Sequence, residues 1–295
     1  CPAARVSHRQ VVGSYDDPMA LAQFSEGLAA VTFEFENVPA AALERLAAHG
    51  VAIAPGARAL AVAQDRIDEK AFLNAHGVAT VAYQAVDNAQ DCIEAVARLG
   101  APSLLKTRRE GYDGKGQVWI EHGDDPAAAF ASLGGVACIL EAPADFTREL
   151  SVIAARGRDG EIALYPLGEN HHEGGVLRRT VAPAQVSGVV NDHAEKIAHQ
   201  VLNGLDYVGV IGIELFELSD GTLLVNEIAP RVHNTGHWTQ DGCEVDQFEQ
   251  HIRAVAGWPL GPTAARCHVE MTNLLGDDAD DWAALAAEPE GRLHL

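Results

Sequence analysis

The stretch YVGVIGIELFELSDGTLLVNEIAP, residues 207–230, decides how the rest of the chain is read. Two apolar runs flank Asp220-Gly221, a dipeptide suited to a two-residue type I′ turn, so the segment reads as an antiparallel hairpin. With that turn Ser219 faces Thr222, and five steps outward on each strand Glu214 faces Glu227. Side chains so opposed have Cβ atoms about 4.5–5.5 Å apart, and two carboxylates there repel. Val208, Val210, Ile211, Ile213 and Leu223 to Val225 predict a buried setting, where unpaired charge is costly. Three things would offset the repulsion: a proton on one carboxyl, an arginine or lysine between them, or a bridging hard cation. Carboxylates completed by phosphate or water suit Mg²⁺, and a metal site is the reading favoured here. The bland alternative is a solvated pair on an exposed sheet face. A one-residue slip of register would send the two glutamates to opposite faces.

The hairpin runs on into RVHNTGHWTQDG, which crowds ion-holding side chains into a few positions. His233 and His237 have the spacing of a helical zinc pair, but Pro230 and Gly236 predict a loop and no third ligand is evident. A second stretch, LLKTRREGYDGKGQ, sets Lys106 at the end of an apolar strand and follows it with Gly111, Gly114 and Gly116. Glycines let the backbone turn its N–H groups onto a phosphate, although neither common nucleotide fingerprint is matched. Asp113-Gly114 could equally be a plain hairpin turn. Lysine occurs at four positions, Lys70, Lys106, Lys115 and Lys196, so this loop carries half of them, with Arg108 and Arg109 beside them. A polyphosphate ligand accounts for that concentration in an acidic chain.

The formal net charge of -21 argues against non-specific binding to nucleic acid or an anionic membrane. No apolar run has membrane-spanning length. Five scattered cysteines without a Cys-x-x-Cys spacing read as reduced thiols of a cytosolic protein. At 295 residues, 47% of them hydrophobic, the chain has room for two or three sub-domains.

Before Pro55, RQVVGSY and AAVTFEFENV read as strands, with PMALAQFSEGL and PAAALERLAAHG as helices, a βαβ alternation that implies a parallel sheet. A Pro/Gly break and two helical pieces follow, then a compact α+β module over residues 78–147 and an antiparallel region from Arg148 onward. ENHHEGG reads as a polar loop, and ARCHVEMTNLLG as a strand opening a further sub-domain.

These residues resemble the ATP-grasp superfamily, and within it the N5-carboxyaminoimidazole ribonucleotide synthases. The likeness rests on EGYDGKGQ, YPLGENHHEGGVLR, YVGVIGIELF and above all NEIAPRVHNTGHWT, and covers nearly the whole chain. It implies an α/β and α+β ATP-grasp fold: a partial Rossmann-like domain over 1–54, the ATP-grasp domain over 55–258 with its small lid sub-domain, and a partial C-terminal sub-domain over 259–295. The start at Cys1 without a glycine-rich strand–turn before it, and the lack of a basic segment after Leu295, predict truncation at both ends.

The same resemblance implies a set of roles. Arg66, Lys106 and the loop Gly111, Tyr112, Asp113, Gly114, Lys115, Gly116, Gln117 would hold the ATP phosphates. Glu141, Ala142, Pro143 and Ala144 would form the hinge that reads adenine, with Glu149 on the ribose and His172 and Asn226 as further nucleotide contacts. Glu214 and Glu227 match the Mg²⁺ ligands; Ala229 replaces the asparagine that many grasp enzymes carry two places after the second glutamate. Arg231, His233, Asn234, Tyr112, Asp113 and Lys115 match substrate or catalytic positions. Thr32, Glu34 and Glu36 alternate onto one strand face, placing one of the two glutamates at the substrate.

The implied reaction is the ATP- and bicarbonate-dependent carboxylation of 5-aminoimidazole ribonucleotide through carboxyphosphate, in purine biosynthesis, by a cytoplasmic homodimer. The amine proton would pass to His233, Asp113 or released phosphate. The alternatives are another ATP-grasp carboxylate–amine ligase and a non-catalytic nucleotide-binding module.

Overall fold

The structure is a computed structural model that describes residues 2–111 and 114–294. Tyr112 and Asp113, both singled out in the glycine-rich loop, lie outside the described residues.

The first unit comprises α1 (Pro18–Ser25), β1 (Ala30–Val31), α2 (Ala40–Ala48) and β2 (Ala52–Ile53), with β1 and β2 parallel as the βαβ alternation predicts. Its core is Leu21, Val31, Phe33, Leu43, Leu46 and Leu60. RQVVGSY is not a strand: residues 9–14 are irregular and Val12 is 86% exposed. No described strand lies alongside to take its backbone hydrogen bonds, and apolar composition alone does not make a strand. The second expected strand shrinks to Ala30–Val31, although exposed Thr32 and Glu34 still alternate with buried Val31 and Phe33 beyond its end.

The two expected helical pieces are α3 (Ala57–Ala63) and α4 (Arg66–Ala75). Asp65 caps α4, its carboxylate accepting from the Ile67 N–H at 3.0 Å. Next come β3 (Tyr83–Val86), α5 (Ala89–Leu99), β4 (Ser103–Thr107), β5 (Gln117–Ile120), α6 (Pro126–Ser132) and β6 (Cys138–Glu141). Their strands form an antiparallel sheet in the order β3-β6-β4-β5. Strand alternation sends Leu105 into a core under α5 and α6, and sends Leu104 and Lys106 to the opposite face. The glycine-rich loop joins β4 to β5.

The largest sheet contains β7 (Phe146–Arg156), β8 (Ile162–Leu164), β9 (Gly168–Glu173), β10 (Val176–Ala182), then, after α7 (Gly188–Gly204), β11 (Gly209–Leu218) and β12 (Leu223–Ala229). Past α8 (Thr239–Gly242) and α9 (Gln247–Ala256), β13 (Val269–Thr272) completes it, and α10 (Trp282–Ala286) ends the elements. The order is β12-β11-β7-β9-β10-β13, with β8 on β7, and every pairing is antiparallel. Ile211, Ile213, Leu215, Leu223 and Val225 pack one face against α7. One expectation needs correction. ENHHEGG is not a loop: its first residues are β9, because the polar side chains alternate along a paired strand and the turn is confined to Gly174-Gly175. ARCHVEMTNLLG contains a strand, as expected, and this β13 finds a hydrogen-bonding edge on β10.

The β11–β12 turn also departs from expectation. Leu218 N–H donates to Thr222 O, Gly221 N–H donates to Leu218 O, and Gly221 sits at φ 81°, so the loop has three residues rather than two. Leu215 therefore pairs with Val225 and Glu217 with Leu223. A bulge between Glu214 and Leu215 then absorbs one residue of β12, and Glu214 pairs with Glu227 after all.

Candidate active site

A cleft of about 780 Å³ lies between the face of the four-stranded sheet that carries Lys106 and the open face of the large sheet. Its floor follows from the bulge. Val225 and Ile228 stay in the core, while Asn226 and the next residue, Glu227, both line the cleft beside Glu214. Asn226 Nδ2 donates to Glu214 Oε2 at 3.3 Å. A regular strand would put only one of two successive residues on that face.

The opposed glutamates are compensated unequally. Arg66 Nη1 donates to Glu227 Oε2 at 3.2 Å. Burial works against ionisation of Glu227, but Arg66 and then Lys106 outweigh it and hold this carboxyl below its ordinary range. The Glu214 side chain is only 14% exposed, and burial followed by the charge of Glu227 pushes it up to about 7. An arginine, one of the three offsets read from the sequence, thus stands beside the pair, and the raised Glu214 carboxyl favours a second, a proton. The donor set also fits a hard divalent ion. Glu214, Glu227 and the Asn226 amide oxygen offer oxygen ligands on one surface, leaving positions for phosphate and water. No cluster of three His, Cys, Asp or Glu side chains suited to a metal occurs among the described residues.

Across the cleft, Lys106 Nζ lies 2.7 Å from Glu141 Oε2. Glu141 is itself buried, and it lines the cleft together with Ala142, Pro143 and Ala144. Phe146 and Phe216 stack at 4.5 Å where β7 and β11 meet, and both face this end of the cleft. Glu149 Oε2 sits 2.5 Å from His172 Nδ1 on the neighbouring strand β9. Gly111, Gly114, Lys115 and Gln117 line the same space; Gly116 lies against Thr107 behind it.

Arg108 lines the cleft beside the lysines, whereas Arg109 does not, and both are tied to one carboxylate. Arg108 Nε and Nη2 donate to Asp65 at 3.0 and 2.9 Å, and Arg109 Nε donates to the same carboxylate at 3.1 Å. A nearly buried carboxylate at the α4 N-terminus thus pairs with both guanidinium groups, and of the two only Arg108 stays at the cleft.

At the far end, Arg231 Nε is 3.0 Å from Glu36 Oε1 and its Nη1 is 4.0 Å from Glu34 Oε1. Glu36 lines the cleft, and burial, against the pull of Arg231, raises its carboxyl above the usual range. Glu34 is 76% exposed and points outward, which separates two residues that sequence left equivalent. Asn234 borders the cleft in a short turn. Thr32 lies away from it, 2.6 Å from His251 Nε2. His233 Nδ1 contacts Thr235 Oγ1 at 2.8 Å, and its Nε2 is 3.8 Å from Glu214 Oε1. Burial first, and Arg231 second, lower this imidazole to about 4, so it is neutral near pH 7. His237 packs instead against the Phe248 ring.

Sequence reasoning took only Arg66 from the first turns of α4 and gave no role to Asp65, Glu69 or Lys70. Asp65, Arg66, Glu69 and Lys70 share one helix face, the first two holding the loop and Glu227 as described. Glu69 Oε1 accepts from Ile228 N–H at 2.7 Å. The signal available was DRIDEK, four charges on the inner face of a helix that otherwise reads as amphipathic.

Residues 71–248 match the model of the ATP-grasp domain, and residues 1–64 match the ribonucleotide synthetase preATP-grasp domain. The chain is 48% identical to the N5-carboxyaminoimidazole ribonucleotide synthase of Brucella melitensis over 297 residues, covering 100% of this chain and 82% of that one. Among solved structures it resembles N5-carboxyaminoimidazole synthetase from Staphylococcus aureus complexed with ADP, with TM-score 0.93, 34% identity, and coverage of 100% and 79%. The Aspergillus clavatus enzyme in complex with ADP and 5-aminoimidazole ribonucleotide gives TM-score 0.87 and 31% identity, covering 97% and 76%. A cleft with opposed glutamates, a glycine-rich loop and an acidic–arginine pocket therefore sits in a chain that belongs to the N5-carboxyaminoimidazole ribonucleotide synthase family of ATP-grasp enzymes.

Proposed function

We propose that the cleft carries out the family's reaction with this chain's own residues in the following roles. The protein is an ATP-dependent ligase that carboxylates 5-aminoimidazole ribonucleotide to N5-carboxyaminoimidazole ribonucleotide in purine biosynthesis. Bicarbonate is the carbon source and Mg²⁺ the metal. The observation that carries the reading is Glu214 paired with Glu227 on the cleft floor, with Lys106 on one side and Arg231 on the other.

ATP lies with its adenine against the backbone of Ala142 to Ala144 and the Phe146–Phe216 pair, and its ribose near Glu149 and His172. Lys106, Arg66, Lys115 and the loop N–H groups neutralise the phosphates. Glu214, Glu227 and Asn226 hold Mg²⁺, which when bound draws charge from the transferring phosphoryl group. Arg231 offers bicarbonate a planar fork. A bicarbonate oxygen bonds to the γ-phosphorus as the bond to ADP breaks, giving carboxyphosphate. Its carboxyl C–O bond then breaks to release CO₂ and phosphate, and the substrate's amine forms the new C–N bond. Glu36, beside Arg231, contacts that amine. Lowered by burial, His233 is a weak base, so the departing phosphate takes the amine proton. Closure of the loop keeps water from the intermediate.

The protein is placed in the cytosol as a homodimer, supported by the family resemblance and by free thiols at Cys92, Cys138, Cys243 and Cys267. No helix of the described residues is long and apolar enough to cross a membrane.

A coupled assay of ADP and phosphate release tests the reaction. Full turnover is expected only when bicarbonate and 5-aminoimidazole ribonucleotide are both present. Equal turnover with another amine, or without bicarbonate, would assign the site to a different grasp ligase.

A further inference from the structure

Lys70 is 1% exposed, and an ammonium withdrawn so fully from water is unfavourable unless its charge is met. It does not itself line the cleft. Two groups meet it instead. Its Nζ lies 3.0 Å from Glu141 Oε1, off the hydrogen-bonding direction, and donates to Asn226 O at 3.4 Å.

Both contacts have a structural origin. β12 is the edge strand of the large sheet, and an edge exposes backbone groups that need partners. Asn226, the bulge residue, is skipped in the register with β11, and its carbonyl turns to Lys70. One helical position earlier, Glu69 accepts from Ile228 N–H. Two side chains of α4 therefore stand where a further strand would, and fix the strand that carries Glu227.

The contact with Glu141 bears on nucleotide binding. Glu141 divides its carboxylate between two ammonium groups, Oε1 to Lys70 and Oε2 to Lys106. Burial favours the neutral acid, but Lys106 and Lys70 overcome it and hold the carboxyl down at about 2. Lys106 lines the cleft, whereas Lys70 does not. When Lys106 turns to a phosphate it must loosen its hold on Glu141. With Lys70 present, the buried carboxylate keeps a counter-charge. Without it, Glu141 would retain Lys106.

We propose that Lys70 is a positioning residue for ATP: it neutralises Glu141 from behind and so releases Lys106 to the nucleotide phosphates. The proposal rests on the reading of Lys106 as a phosphate ligand.

The test is a double-mutant cycle of Lys70→Met and Glu141→Gln on the purified protein, read as ADP affinity in Mg²⁺ buffer by calorimetry and as KM for ATP against kcat. Lys70→Met is expected to weaken ADP binding and raise KM about tenfold while kcat changes less than about threefold. In the Glu141→Gln background the same substitution should change ADP affinity less than about twofold, because no buried charge then competes for Lys106. Lys70→Arg, which keeps the charge, should recover part of the loss. An equal loss in both backgrounds, or unchanged ADP affinity in Lys70→Met, overturns the proposal. If Lys70→Met does not fold, the comparison of Glu141→Gln with the double variant decides it: affinities within twofold support the role, and a tenfold gap overturns it. Lys106→Met is the control for the underlying reading. Should it leave ADP affinity unchanged, the phosphate role of Lys106 fails, whatever Lys70 does.

Discussion

Glu214 of β11 and Glu227 of β12 stand opposite one another across a ladder that has been shifted twice, once by a three-residue turn and once by the bulge at Asn226. The two shifts cancel for the glutamates and leave Asn226 as an extra polar group on the same surface. Arg66 beside Glu227, and the raised proton affinity of Glu214, offset the repulsion within the pair.

Removing either carboxylate should separate catalysis from folding. Glu227→Gln and Glu214→Gln are each expected to cut ATP turnover by about a hundredfold to a thousandfold, the scale of losing one charge-stabilising group. Stability should change by less than about 1 kcal/mol for Glu214→Gln, because one of two like charges is removed. Turnover assays and urea unfolding on the same preparations check both halves, and undiminished turnover in Glu227→Gln would remove the metal assignment.

Asp65 serves two structures at once, the cap of α4 and the anchor of Arg108 and Arg109. Asp65→Asn keeps a capping oxygen but loses the charge, whereas Asp65→Ala loses both. Asp65→Ala should be the less stable of the two by about 1 kcal/mol, the usual worth of a cap. Both should make the segment from Arg108 to Gly116 more susceptible to limited proteolysis. Equal stability of the two variants would show that the cap contributes nothing here.

Gly114 joins the loop to the turn between β9 and β10. A Cβ at this position would lie 2.7 Å from Gly174 O, and the residue adopts φ 72°. Gly114→Ala must therefore push the loop away from that turn, with a strain of about 1 kcal/mol or more. Raised KM for ATP and reduced kcat are expected, with little change in melting temperature because the loop carries few core contacts. Wild-type kinetics in this variant would argue against closure of the loop over the nucleotide.

Acid should act on the first unit through His251. Val210 N–H donates to its Nδ1 at 3.0 Å, so Nε2 carries the proton and donates to Thr32 Oγ1 at 2.6 Å. Burial lowers this imidazole to about 4, below its ordinary value of about 6.5. The unfolded chain thus binds the proton first, and the resulting stability loss begins near pH 6.5 and is complete near pH 4. Across that window the wild type should lose on the order of 3 kcal/mol more than His251→Gln. Urea unfolding at a series of pH values measures the difference, and a pH-independent gap would contradict the assignment.

Much of the site could be read along the chain because its signals are local. The alternation of β4 brings Lys106 to the cleft face, and the strong apolar runs around Asp220-Gly221 make a hairpin whatever its exact turn. RQVVGSY shows the opposite case: a run with strand composition stays irregular, because a strand is completed by a neighbour and none of the described ones is beside it. ENHHEGG shows the converse, since pairing with β7 and β10 makes a strand of residues whose polarity argues for a loop.

Sequence by itself determined the hairpin, the glycine-rich loop and the family, all of which depend on residue order over short spans, whereas the facing of Glu214 and Glu227 rests on a three-residue turn offset by a bulge. Tertiary structure decided which charges meet. Arg66 reaches Glu227 from 161 positions away, Lys70 reaches Asn226 from 156, and Arg108 reaches Asp65 from 43. Coulomb attraction and desolvation depend on distance and burial in space, not along the chain, so these pairings arise only when α4 packs against the edge of the large sheet.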